Sequence, residues 1–160
     1  MEALQAAAIE FPARREALAG VIAVVEDFCV ANGADAESAY ALRLVVEEVC
    51  LNLIDYGYAG ADPAVAGVIG LRLAAGSEAF ELTVLDRGRP FDPAGAPAPD
   101  LDSPAETRPL GGLGWHLVRH MVDELTYRSD SLQGNQLRLV RRRRPASIAS
   151  GGQVGNLDQA

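Results

Sequence analysis

The spacing of apolar positions changes several times along the chain, and each change marks a new element. Leu4 to Phe11 is short and apolar and predicts a strand, which Pro12 stops. From Ala13 to about Asn32 the apolar residues Leu18, Val21, Ile22, Val25 and Phe28 recur at helical spacing, and Asn32-Gly33 supplies a stop. A second helix is predicted from near Asp35, with Ser38 as the competing N-cap, to about Tyr56. Its inner stripe is Leu42, Val45, Val46, Val49, Cys50 and Leu53, and Gly57-Tyr58-Ala59-Gly60 and Pro63 end it.

Val68 to Ala74 and Glu78 to Leu85 alternate like two strands joined by a Gly76-Ser77 turn. The chain then loses its apolar pattern. Residues 88–111 hold Pro90, Pro93, Pro97, Pro99, Pro104 and Pro109, and a structureless stretch longer than ~15 residues in a compact domain is usually a lid or a binding loop. Gly114 to Val122 predicts a third helix, and Leu125 to Ser129 and Gln136 to Arg141 two more strands around a Gly134-Asn135 turn. Residues 145–160 carry almost no bulky side chains and predict a disordered tail, which leaves one domain over 1–144 with a lid at 88–113. The Arg141 to Arg144 run is expected at the solvated end of the last strand.

Composition narrows the chemistry. The 160 residues suit one domain with one sizeable core. All 14 basic residues are arginine against 22 acidic ones, a net charge of -8, which is the wrong sign for gripping nucleic acid phosphates. The absence of lysine excludes Schiff-base chemistry and a lysine-dependent P-loop. Cys29 and Cys50 lie apart among apolar residues, without metal-ligand spacing, and are expected to be buried free thiols. No apolar run approaches the ~18 to 20 residues that span a bilayer, so a soluble cytoplasmic protein is expected.

Three short segments carry candidate chemistry, each suited to part of a nucleoside triphosphate. Glu48, Asn52 and Asp55 form a polar stripe beside the buried face of the second helix, within about 60° of one another at ~100° per residue. Asn52 offers a neutral oxygen for Mg²⁺, and Glu48, one turn back, could accept a proton from a hydroxyl attacking a γ-phosphate. Glu47 reads as plain surface charge. Asp86, ending the apolar strand Phe80 to Leu85, is either a turn aspartate before Gly88 or an acceptor for the exocyclic amine of adenine. Gly111-Gly-Leu-Gly114 opens a helix whose free N–H groups could wrap phosphate without lysine. His116 and His120 share a helix face at a metal-capable spacing, but no third ligand accompanies them.

In this order the motifs resemble the GHKL ATPases and, within them, the RsbW-like anti-sigma factor serine/threonine kinases, over roughly residues 4–142. Glu48-Val-Cys-Leu-Asn52 resembles the family's N box, which implies that Glu48 is the catalytic base and Asn52 the Mg²⁺ ligand. Asp86-Arg-Gly-Arg-Pro-Phe-Asp92 resembles the first glycine box, implying Asp86 on the adenine amine with Gly88 and Pro90 beside the nucleotide. Gly112-Leu-Gly114 resembles the second glycine box closing the ATP lid, which adds Gly112, Leu113 and Gly114 to the implied ATP contacts. Asn135 falls where the family has the threonine of a Gly-Thr pair near adenine, and Tyr56 replaces a histidine common four residues after the metal asparagine. Pro90 stands where a second glycine is frequent, as in the Asp-x-Gly-x-Pro-Phe-Asp-Pro form of the RsbW-like branch.

The resemblance implies an α+β fold, the two-layer Bergerat sandwich, with a mixed, mostly antiparallel sheet of about five strands and three helices on one face. The independent count of elements agrees. It further implies ATP and Mg²⁺ as cofactors and transfer of the γ-phosphate to a Ser/Thr of a small STAS-type anti-sigma factor antagonist, with a sigma factor and a homodimer as further options. The alternative is a nucleotide-binding regulatory module that sequesters a sigma factor or another partner without phosphotransfer. The ATPase end of a two-component histidine kinase is disfavoured, since no helical segment bearing a phosphoacceptor histidine is seen.

Overall fold

A computed structural model describes residues 3–60, 67–93 and 112–144. Five strands, β1 (Ala3–Pro12), β2 (Val68–Gly76), β3 (Ala79–Asp86), β4 (Glu124–Asp130) and β5 (Gly134–Arg142), form one sheet in the order β1-β2-β3-β5-β4. Three helices accompany it: α1 (Arg15–Ala31), α2 (Ala36–Asn52) and α3 (Gly112–Met121). The fold is α+β as expected. The expected mixed, mostly antiparallel sheet is antiparallel at all four pairings described.

Strand alternation decides which face is covered. Ile69, Leu71, Leu73 and Ala75 of β2, Phe80, Leu82 and Val84 of β3, and Leu137 and Leu139 of β5 point to one side and join a single core with the inner faces of α1, α2 and α3. Val45, Val46, Val49 and Cys50 on α2 are fully buried, which is the stripe predicted from spacing. Burying each such aliphatic side chain contributes roughly 1.5 to 3 kcal/mol. Arg72, Thr83 and Arg138 form a cross-strand row on the opposite face, where Arg138 pairs with Glu81 at 2.6 Å.

Asp35, not Ser38, is the N-cap of α2: its carboxylate accepts from the Ser38 amide and hydroxyl, both at 2.8 Å. These bonds favour the ionised form and hold the Asp35 carboxyl below its ordinary range. At its other end α2 stops as an α-helix at Asn52, earlier than the expected Tyr56, and Leu53–Gly57 continues as one π turn. Such widened turns commonly occur at functional sites.

The arginine run departs from its expected solvated position. Arg141 lies on the covered face of β5, 4% exposed, and donates to Glu37 at 2.8 Å and to the Met121 carbonyl at 3.0 Å. The Arg143 guanidinium sits 4.1 Å above the Phe80 ring and donates to the carbonyls of Asn32, Gly33 and Gly76. A cation there satisfies carbonyls left open at the C-terminal end of α1 and complements its dipole. Arg142 and Arg144 are exposed and pair with Glu124 and Glu37. The run therefore clamps the end of β5 to the α1–α2 connection.

Both cysteines are free and buried, as expected. Burial pushes the Cys50 thiol up to about 12 and the Cys29 thiol to about 11, Cys29 with a smaller contribution from nearby Glu26. Iodoacetamide at neutral pH should therefore modify neither cysteine in the native protein and both after unfolding in urea, with mass spectrometry counting the adducts. Among the described residues no helix is long and apolar enough to cross a membrane.

Candidate functional site

Glu48 and Asn52, one turn apart on α2, start the site. The Asn52 Nδ2 donates to the Glu48 carbonyl at 2.7 Å. Only the NH₂ end of the amide can donate, so Oδ1 is turned away from that carbonyl as a neutral, hard oxygen able to hold a metal such as Mg²⁺. Burial, and secondarily the charge of Glu47, raises the Glu48 carboxyl above its ordinary value, which makes its carboxylate the stronger base. Asp55, the third member of the polar stripe, leaves the site for an ion pair with Arg15 at 2.6 Å.

The opening turn of α3 lies against these two side chains. A Cβ built on Gly114 would collide with Glu48 Oε2 and come within 3.7 Å of Asn52 Nδ2. Glycine lets the backbone approach the carboxylate, and helix-opening N–H groups attract anions.

The π turn carries the next segment. It exposes the Gly57 carbonyl, which accepts from the Arg89 amide at 2.8 Å. A Cβ on Gly88 would lie 2.8 Å from the same carbonyl oxygen, so position 88 needs glycine. The Tyr58 hydroxyl accepts from the Arg87 amide and donates to the Val68 carbonyl, both at 2.9 Å. α2 and the Asp86–Arg89 turn are thereby fixed to each other.

Asp86 ends β3 on the covered face, 7% exposed. Its Oδ1 accepts from the Gly88 amide and from Asn135 Nδ2, each at 2.8 Å. The first bond is the turn-aspartate role. The second comes from β3–β5 register, which sets Asp86 directly opposite Asn135. Desolvation outweighs both bonds and holds the Asp86 carboxyl above its ordinary value. At Gly134, φ is +91° and a Cβ would stand 2.5 Å from the Asp86 carbonyl oxygen, so this turn also requires glycine.

Asn135 itself is 4% exposed and bonded at both ends of its amide. Nδ2 also donates to the Gly88 carbonyl at 3.0 Å, while Oδ1 accepts from the hydroxyls of Ser129 at 2.9 Å and Tyr127 at 3.2 Å. Beyond it, the Phe91 amide donates to the Tyr127 hydroxyl at 2.9 Å, and the Phe91 ring meets Trp115 of α3 with centroids 5.5 Å apart. The Arg119 guanidinium of α3 donates to the Pro93 carbonyl. Contacts thus close a ring from α2 through Gly57, Gly88, Asp86, Asn135, Tyr127, Phe91 and Trp115 back to Gly114 on Glu48.

The three motif segments therefore converge on one end of the sandwich. Tyr56 is half exposed on the π turn, and Pro90 is exposed. Gly112 and Leu113 supply the first backbone turn of α3. Residues 94–111, most of the expected lid, and the expected tail at 145–160 lie outside the described residues. The His116 and His120 rings have centroids 4.2 Å apart and are tilted 47° to each other, one His120 ring nitrogen lying 2.8 Å from the His116 carbonyl oxygen. Among the described residues no group of three or more His, Cys, Asp or Glu could hold a metal.

Sequence reasoning missed Tyr58, Tyr127, Ser129, Phe91 and Trp115. Tyr58 was visible only as part of a helix end. Tyr127 and Ser129 alternate on a strand, where nothing but the pairing of Ser129 with Asn135 brings them to the site.

Residues 11–141 match the family described as histidine kinase-like ATPase domain. No curated protein matches the chain. Among solved structures it is similar to the RsbU and RsbW domains of Rv1364c from Mycobacterium tuberculosis, with a TM-score of 0.59 and 20% identity over 89% of this chain. The chain spans 34% of that protein's solved length. It is also similar to the histidine kinase domain of a blue-light activated histidine kinase from Erythrobacter litoralis, with a TM-score of 0.48, 20% identity, and coverage of 82% of this chain and 61% of that one.

Proposed function

The chain belongs to the histidine kinase-like ATPase domain family, and from that premise we propose that it is an ATP-dependent serine/threonine protein kinase of the anti-sigma factor type. Its domain is residues 1–144, and it transfers the γ-phosphate of ATP to a Ser/Thr of a small STAS-type antagonist in a cytoplasmic partner-switching pathway. The observation that carries this reading is the approach of the Gly114 backbone to Glu48 Oε2, with Asn52 alongside. That contact brings the carboxylate and the amide of α2 against the glycine turn that opens α3.

The side chains divide the work. Asp86 accepts the adenine amine, and Gly88, Gly112 and Gly114 let the backbone come close to the nucleotide. Asn52 would hold Mg²⁺ through Oδ1, its Nδ2 being tied to the helix. When bound, the metal neutralises charge on the β- and γ-phosphates. Glu48 takes the proton of the attacking hydroxyl as its oxygen bonds to the γ-phosphorus and the bond to the ADP oxygen breaks. Phosphoryl transfer asks mainly for positioning and charge stabilisation, which this small set supplies.

Label from γ-labelled ATP should appear on serine or threonine of the cognate antagonist, and Glu48→Ala should reduce that transfer by about 10²- to 10⁴-fold. Because the Glu48 pKa is raised, the rate should climb with pH along a limb above the ordinary carboxylate range, and the variant should lose that limb. Undiminished transfer by the variant would refute the assigned base. Equal capture of a partner by both proteins, with transfer by neither, would favour the sequestering regulatory module.

A further inference from the structure

We infer that Tyr127, on the edge strand β4, is a positioning residue that ties the adenine-reading carboxylate to the glycine turn of α3. The inference rests on the ATP-binding reading and extends it to a residue outside every motif. One phenol oxygen stands between two arms of the site. It donates to Asn135 Oδ1 at 3.2 Å and accepts from the Phe91 amide at 2.9 Å.

The first arm runs toward the base. Asn135 is held at its Oδ1 by two hydroxyls, those of Tyr127 and Ser129, while its Nδ2 donates to Asp86 Oδ1 and the Gly88 carbonyl. An amide can turn end for end. The Asp86 carboxylate and the Gly88 carbonyl only accept, so they admit only the NH₂ end of Asn135, and the two hydroxyls then donate to Oδ1. That orientation engages Oδ1 of Asp86 with protein donors and makes Oδ2 the oxygen available to the adenine amine.

The second arm runs toward the phosphates. Phe91 follows the Asp86–Pro90 turn, and its ring rests on Trp115, the residue after Gly114. The Tyr127 bond fixes the Phe91 backbone, so the seat of Trp115 and the reach of Gly114 over Glu48 depend on the same hydroxyl. Tyr127 touches neither base nor phosphate in this scheme.

Tyr127→Phe removes the hydroxyl and keeps the ring packed on the core, and Ser129→Ala removes the other donor to Asn135 without touching Phe91. The probes are ATP and purine riboside triphosphate, which lacks the exocyclic amine. Tyr127→Phe should lower ATP affinity about fivefold, the scale of one hydrogen bond, while changing affinity for the amine-free analogue less. Amide exchange at Phe91, followed by NMR in nucleotide-free protein, should quicken in Tyr127→Phe and stay unchanged in Ser129→Ala. A merely structural role would weaken both nucleotides equally. An unchanged ATP-to-analogue ratio, or unchanged Phe91 exchange, in Tyr127→Phe would overturn the coupling while leaving the ATP site standing. Failure of wild-type protein to bind either nucleotide would instead overturn the ATP-binding reading, and the coupling with it.

Discussion

Asp86→Asn is expected to reduce ATP affinity about a hundredfold while leaving the nucleotide-free protein at least as stable as wild type. The amide keeps an Oδ1 that can accept from the Gly88 amide and from Asn135 Nδ2, so the turn and the cross-strand pair survive. At the other branch an NH₂ replaces the oxygen proposed to face the adenine amine. Two donors then confront each other in a buried site, which costs the bond and leaves polar groups unpaired, together about 3 kcal/mol. ITP, whose exocyclic carbonyl oxygen accepts where the ATP amine donates, should suffer less, so the preference for ATP should narrow.

The stability half follows from the raised Asp86 carboxyl. Because its folded pKa lies above the unfolded one, the native state holds the proton more tightly and stability falls as pH rises through that window. At neutral pH wild type bears the full cost of a desolvated carboxylate, which the neutral amide escapes. The difference in melting temperature between variant and wild type should therefore shrink as pH drops below the ordinary carboxylate range. Calorimetry across pH, with and without ATP, measures both halves. A variant that binds ATP as wild type does would remove Asp86 from base recognition.

What was legible in the sequence was whatever depends on local spacing. The stripe from Leu42 to Leu53 predicted α2 because burial at steps of three and four leaves a helical period, and the same period put Glu48 and Asn52 on one rim. Short-range punctuation located Asp86 and the glycines. The long-range part was not legible. Arg141 to Arg144 read as a solvated charge run because charge alone signals exposure, yet β5 register turns Arg141 under α2 and α3, where Glu37 and the Met121 carbonyl meet it. Asn135 could be placed by motif order, but its partners Ser129 and Tyr127 come from pairing with β4, which no spacing rule encodes. The π turn was also hidden. One extra residue in a helical turn hardly alters an apolar pattern, although it sets the Gly57 carbonyl against Gly88.

Gly114→Ala should separate stability from activity more sharply than any substitution of the catalytic side chains. Gly114 is not among the glycines with positive φ and lies inside α3, where alanine is favoured over glycine by up to about 1 kcal/mol. The added methyl collides with Glu48 Oε2, the far end of a flexible side chain, and not with backbone. The carboxylate must therefore swing aside while the helix stays in place. Melting temperature should hold or rise slightly, and phosphotransfer should fall about 10²- to 10⁴-fold, approaching the loss expected for Glu48→Ala. In the double variant the two losses should not add, because the methyl acts by displacing the same carboxylate. Full activity in Gly114→Ala would mean that transfer does not need Glu48 where it now stands. A melting temperature several degrees lower would mean that the collision is borne by the backbone of α2 or α3 and not by the side chain.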